Sequence, residues 1–199
     1  LLSFSLALVV GALAAAKPGG WFDRVSSLIS LAGASAPDFW VAIVGVLVFS
    51  VGLGLLPTSG TGGLAYWILP IAVLTLRPFG LLVQVVRGTM IGVLAQPHVK
   101  TARAKGMSPR SVLVRHGLRN SMLPVVTVAG DLAASLVNGA VVVETIFGWP
   151  GIGKLMIDSI VLRDFAVVQS TILVTACAIF LLNIVIDLLY AALDPRIRY

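Results

Sequence analysis

The chain has 199 residues, 58% of them hydrophobic and 11% charged, with a formal net charge of +6 and a mean hydropathy of +1.04. A soluble globule of this length must cover its surface with polar groups, which this composition does not supply, so a water-soluble domain is excluded and the solvent is lipid. The positive charge does not indicate nucleic acid either, because the basic residues gather between apolar stretches instead of spreading over a polar surface.

Residues 1–16 are apolar and uncharged and stop at Lys17-Pro18-Gly19-Gly20. With no basic start, they read as the remainder of a longer membrane helix rather than a signal peptide. Residues 17–38 read as a loop. Four longer apolar stretches follow: 39–56 after Pro37-Asp38, 64–86 interrupted by Arg77, 123–143 interrupted by Asp131, and the uncharged 165–186. Each has the length a helix needs to cross about 30 Å of hydrocarbon, which gives five spans in all. Cys177 lies within the last of them, where it can form no internal disulfide and is expected to pack as a small hydrophobe.

Sidedness follows from the basic residues. Seven of the fourteen Lys and Arg residues lie between Arg87 and Arg119, with no acid among them. If the loops 17–38 and 87–122 and the tail 194–199 face the cytoplasm, that side holds eleven positive residues, against Lys154 and Arg163 on the other. One alternation of five spans satisfies the positive-inside rule throughout. The segment 144–164 is then extracytoplasmic, with a turn over Ile146-Phe147-Gly148-Trp149-Pro150-Gly151-Ile152-Gly153 and a short amphipathic helix over 154–162 at the interface. No internal repeat or domain boundary is visible, and one membrane domain over 1–199 is the expectation.

Gly148 to Lys154 matches the phosphate-binding pattern GxxxxGK, but Leu155 stands where a Ser or Thr would hold magnesium, and no strand precedes it. The glycines and proline therefore read as a turn. His98 and His116 are eighteen residues apart with no Cys, Asp or Glu between them, so metal-ligand spacing is absent. Nor does the order of residues suggest a hydrolase triad.

The polar residues inside the spans are the costly ones. Arg77 lies ten residues from Arg87, and Asp131 lies eleven from Asn120. Both should therefore sit about 15 Å deep, and a pair between them in at least one transport state is expected. Lining of a translocation path by Arg77, Asp131 and Asn138 is the alternative. Gln84 and Asn138 suit interhelical hydrogen bonds. Pro70 and Pro78 should bend their helix.

The central basic loop has its own plan. Pro97-His98-Val99-Lys100-Thr101-Ala102-Arg103-Ala104-Lys105-Gly106-Met107-Ser108-Pro109 is a helix-compatible run stopped by a glycine and restarted at Ser108-Pro109. Lys100, Arg103 and Lys105 offer charge for an acidic rim, while Val99 and Ala102 offer small apolar contact to a partner. Gly106 permits an abrupt change of direction. Binding of anionic lipid is the rival use of such a loop.

These stretches resemble the membrane permease subunit of ABC importers, in the branch that handles dipeptides, oligopeptides, glutathione and nickel. The resemblance rests on Ala36-Pro37-Asp38-Phe39-Trp40, the run from Val99 to Ser108, Arg115-His116-Gly117-Leu118-Arg119-Asn120-Ser121-Met122-Leu123-Pro124, the run from Gly139 to Gly153, Arg163-Asp164 and Leu193-Asp194-Pro195-Arg196-Ile197-Arg198-Tyr199. Such permeases carry a loop of the form EAA-xxx-G followed after nine residues by I-x-L-P. Here Lys100-Thr101-Ala102 and His116-Gly117-Leu118-Arg119 replace those elements around Gly106.

The resemblance implies an all-α polytopic protein of the cell (inner) membrane with the type I ABC importer fold, five spans being present of an expected six. It places an EAA-type coupling loop at 95–120, in which Val99, Lys100, Thr101, Ala102, Arg103, Ala104, Lys105, Gly106, Met107 and Ser108 engage a cytoplasmic ATPase. The implied partners are a second, similar permease subunit, two ATPase subunits, an extracytoplasmic substrate-binding protein and membrane lipid. ATP and magnesium would belong to the ATPase subunits, with no cofactor, nucleotide site or covalent chemistry in this chain. The alternative class is an ATP-independent channel or ion-coupled transporter, with Arg77 and Asp131 as its ion or substrate site.

Overall fold

The computed structural model describes residues 1–193, apart from the side chains of 137–139 and 189–193. The ending Asp194-Pro195-Arg196-Ile197-Arg198-Tyr199 lies outside the described residues. Among the described residues every regular element is helical. In chain order these are α1 (Leu2–Ala16), α2 (Trp21–Ser35), α3 (Asp38–Gly45), α4 (Ala65–Leu94), α5 (Pro97–Ala104), α6 (Pro109–Ser111), α7 (Arg119–Phe147), α8 (Ile152–Leu162) and α9 (Phe165–Leu193). The wider π-helical turns Val46–Gly52 and Val112–Leu118 continue α3 and α6.

Helices α4 and α9 are each long and apolar enough to cross a membrane alone. Trp21–Ser35 with Asp38–Gly52, and Pro109–Leu136 with Ala140–Phe147, meet the length and composition of a span only as bent pairs, and α1 is shorter. Two expectations change here. The stretch 39–56 does not form a complete span, because the helical winding of α3 and its continuation stops at Gly52 and covers roughly 22 Å at 1.5 Å per residue. Residues 21–35 are not loop but helix α2, and the loop shrinks to the turn around Lys17 to Gly20.

Helix α2 is inside-out by the standard of a soluble protein. Asp23, Ser26, Ser30 and Gly33 are buried, while Trp21 is 77% and Leu28 68% exposed. Small and polar residues let another helix approach closely and bond, while the apolar side chains suit lipid. The polar residues that make 17–38 read as a loop are the ones facing inward.

The described residues pack as two compact units, one of residues 1–35, 76–131 and the end of α9 from 188, the other of 36–75 and 132–187. Three of the four boundaries fall within helices α4, α7 and α9, where no shift in composition marks them, and the fourth falls in the short connection between α2 and α3. In the first unit Ala15, Val86, Met90 and Val125 form a core, with Phe4, Leu8, Leu113 and Leu118 against it. The second unit is centred on Ala42, Leu69, Val73, Val143 and Phe147. There Trp67 meets Trp149 edge to face at 4.1 Å between ring centroids, and the Gly60 N–H donates to the Phe147 carbonyl at 2.8 Å.

Cys177 is exposed on α9 rather than packed. Helix α9 buries little of its surface within the chain, so its apolar side chains face lipid or another subunit.

Candidate functional site

The elbow between α5 and α6 is built from local signals. Pro97 opens α5 at a position where its missing N–H is no loss. At the other end the Met107 N–H donates to the Ala102 carbonyl at 3.3 Å and the Gly106 N–H to the Arg103 carbonyl at 3.0 Å. Gly106 has φ +80. That pair of bonds around a left-handed residue is a Schellman termination, and glycine adopts it without the Cβ clash another residue incurs. Ser108 then caps α6, its Oγ accepting from the Ser111 N–H at 3.4 Å, with Pro109 in the first helical position.

Helix α5 presents two faces. Val99 is 0% and Ala102 7% exposed, whereas Lys100, Thr101, Arg103, Ala104, Lys105 and Gly106 are exposed and Met107 is half-buried. The expectation that Val99 and Ala102 offer contact to a partner is therefore corrected. Spaced i, i+3, they lie on one side of the helix and anchor it to the chain. Helix α5 packs on the π-helical turn Val112–Leu118, where His98 and His116 approach to 6.1 Å between ring centroids. That turn in turn sets Leu113 and Leu118 against the Val86, Met90 and Val125 core. A push on α5 thus reaches α4 and α7 through packed side chains.

A polar seam joins α4 to α2. Arg87 contacts Asp23 through Nε and Oδ1, and its Nη2 donates to Asp23 Oδ2 at 2.9 Å. The Gly19 N–H donates to the same Oδ2 at 2.7 Å. Toward the other end of the seam, Gln84 Nε2 donates to Ser30 Oγ at 2.7 Å and to the Ser27 carbonyl at 3.1 Å. A Cβ placed on Gly80 would stand 2.3 Å from the Ser30 carbonyl oxygen, so the two backbones touch where no side chain fits. The numbers fall along α2 as they rise along α4, so the helices run antiparallel.

Arg77 and Asp131 are both exposed in this chain. No ion pair or hydrogen bond joins them among the described residues, and Asp23 is the acid that Arg87 engages. The side chain of Asn138 lies outside the described residues.

The turn before α8 is occupied by the chain itself. Glu144 near the end of α7 accepts the Lys154 N–H through Oε2 at 3.0 Å, and its carbonyl accepts the Trp149 N–H at 2.8 Å. The first turn of α8 is thus capped by an internal carboxylate. Lys154 Nζ reaches Asp158 at 2.6 Å, where a phosphate-binding loop would aim its lysine at the ligand. At the far end of α8, Arg163 takes the left-handed conformation, φ 58, and Asp164 Oδ1 accepts the Val167 N–H at the start of α9.

Span-length helices with apolar outward faces, a polar seam inside and a basic two-helix elbow between α4 and α7 define a multi-pass membrane protein. The chain belongs to the family of binding-protein-dependent transport system inner membrane components, whose pattern it matches over residues 7–199. It is 41% identical over 192 residues to the glutathione transport system permease protein GsiC of Escherichia coli (strain K12), an alignment covering 96% of this chain and 63% of that protein. It is 40% identical over 227 aligned positions to the di/tripeptide transport system permease protein DppB of Pseudomonas aeruginosa (strain UCBPP-PA14), with 100% of this chain and 68% of that protein covered. The chain therefore spans less than two thirds of the glutathione permease's length.

Proposed function

We propose that the chain is the membrane-spanning permease subunit of an ATP-driven ABC importer of short peptides, glutathione included. The observation that carries this reading is the α5 elbow: a helix fixed to its own chain by Val99 and Ala102, terminated by Gly106, and presenting Lys100, Arg103 and Lys105 outward. The substrate class is taken from the two permeases it is similar to, one for glutathione and one for di- and tripeptides.

In this reading two cytoplasmic ATPase subunits hold ATP and magnesium, a second, similar permease completes the path, and an extracytoplasmic binding protein delivers the substrate. This chain holds no nucleotide and performs no covalent chemistry. Closure of the ATPases displaces α5, and the turn Val112–Leu118 carries the displacement to α4. The Arg87–Asp23 and Gln84–Ser30 contacts then move α2 with α4 as one body. Arg77 and Asp131, charged at mid-depth and exposed, face the second permease or the path, since a charge against hydrocarbon costs several kcal/mol.

The test is reconstitution of the permease pair with its ATPase and binding protein in liposomes. Labelled glutathione and dipeptide should accumulate only with ATP inside the compartment holding the ATPase. Uptake without ATP would assign the chain to a channel or ion-coupled carrier.

A further inference from the structure

The same elbow carries a second feature, a cavity that shares only Arg103 with the basic face of α5. A cavity of about 480 Å³ opens where α1 and α4 end, walled by Ala16, Leu94, Val112 and Leu113 and edged by Arg103 and Arg110. Neither guanidinium makes an ion pair or hydrogen bond among the described residues, and the stretch from Arg87 to Arg119 contains no acid.

An apolar wall with two uncompensated cations beside it calls for a ligand that is anionic at one end and hydrocarbon at the other. The position narrows the choice. Leu94, the last residue of α4, stands seven residues or about 10 Å past Arg87, where the apolar stretch ends, and Ala16 is the last residue of α1, so the cavity lies at the level of the headgroups. It lies on the side that the charge count assigns to the cytoplasm, the leaflet surface richer in anionic lipid. Basic pockets between membrane helices at that level suit phosphate headgroups, and the volume falls within the range of ordinary small-molecule sites.

We propose that this cavity binds one anionic phospholipid, its phosphate between Arg103 and Arg110 and its acyl chains along Ala16 and Leu113. The lipid would neutralise the inner side of the elbow, leaving Lys100 and Lys105 for a protein partner. The assignment needs the membrane setting but not the ATPase, so it stands or falls separately from the transport reading.

The full chain, purified in mild detergent from membranes supplemented with phosphatidylglycerol, should retain that lipid on native mass spectrometry. Arg103→Gln with Arg110→Gln should lower retention roughly tenfold or more. Ala16→Phe fills the apolar wall while leaving both charges, and should lower it as well; it keeps the test decisive if the double variant folds poorly. Equal retention in all three proteins overturns the proposal. Displacement of the lipid by millimolar inorganic phosphate would make this a free-anion site and also overturns it. So would a photo-crosslinker at Leu113 that captures an ATPase subunit and no lipid.

Discussion

Arg87 on α4 and Asp23 on α2 meet in a two-bond guanidinium–carboxylate contact, with the Asp23 side chain 2% exposed and that of Arg87 28%. Asp23→Ala strands a largely buried cation and should cost roughly 3 kcal/mol. Replacing both partners, as Asp23→Ala with Arg87→Met, should recover much of that loss, because an apolar pair carries no uncompensated charge. Thermal unfolding in detergent measures both variants. A double variant as unstable as the single one would show that the ion pair is not what joins the helices.

The turn before α8 allows a test with an internal control. A Cβ at Gly151 would lie 2.1 to 2.3 Å from the Glu144 carboxyl group, whereas one at Gly63 meets nothing within 4 Å. Gly151→Ala should therefore expel Glu144 from the Lys154 N–H, at a cost of about 1 kcal/mol or more from the lost cap. Hydrogen exchange should then quicken over α8. Gly63→Ala should leave it unchanged, and equal behaviour of the two would contradict the capping role.

Much of this architecture is legible in the sequence because its signals are local. Pro97, Gly106 and Ser108-Pro109 announce the elbow, and the glycines from 148 to 153 announce the turn before α8. Helix α2 is not legible, because its buried residues are Asp23, Ser26, Ser30 and Gly33, a pattern that reads as loop when apolar residues are expected inside. The ion pair is hidden for the same reason: with Asp23 assigned to a loop, Arg87 has no visible partner. Counting along the helices places Arg77 and Asp131 at equal depth, but depth does not fix rotation, at 3.6 residues per turn.

Arg163 holds a left-handed conformation that favours glycine. Arg163→Gly relieves up to about 1 kcal/mol of backbone strain, offset in part by the greater freedom of the unfolded chain. The unfolding midpoint should stay level or rise slightly. A clear drop would mean that the Arg163 side chain, rather than the backbone turn, supports the junction of α8 and α9.

Sidedness is open to a direct check. In a Cys177→Ser background, single cysteines at Thr61 and Asp158 should react with a membrane-impermeant thiol reagent added outside intact cells. A cysteine at Ser108 should react only after the membrane is opened. External labelling at Ser108 would place the elbow out of reach of a cytoplasmic ATPase.

The central claim is that α5 and Gly106 form the contact through which ATPase motion enters the membrane domain. The space around Gly106 is open, with nothing within 4 Å of a Cβ built there, so Gly106→Val acts through the φ of +80 alone and should leave membrane insertion intact. The decisive measurement is photo-crosslinking from position 100 in the assembled transporter, read together with ATP-driven uptake by the Gly106→Val and Lys105→Glu variants. The account predicts an adduct with the ATPase subunit from position 100 and loss of uptake in both variants at normal membrane levels. Normal uptake in both variants, with no ATPase adduct, would contradict it.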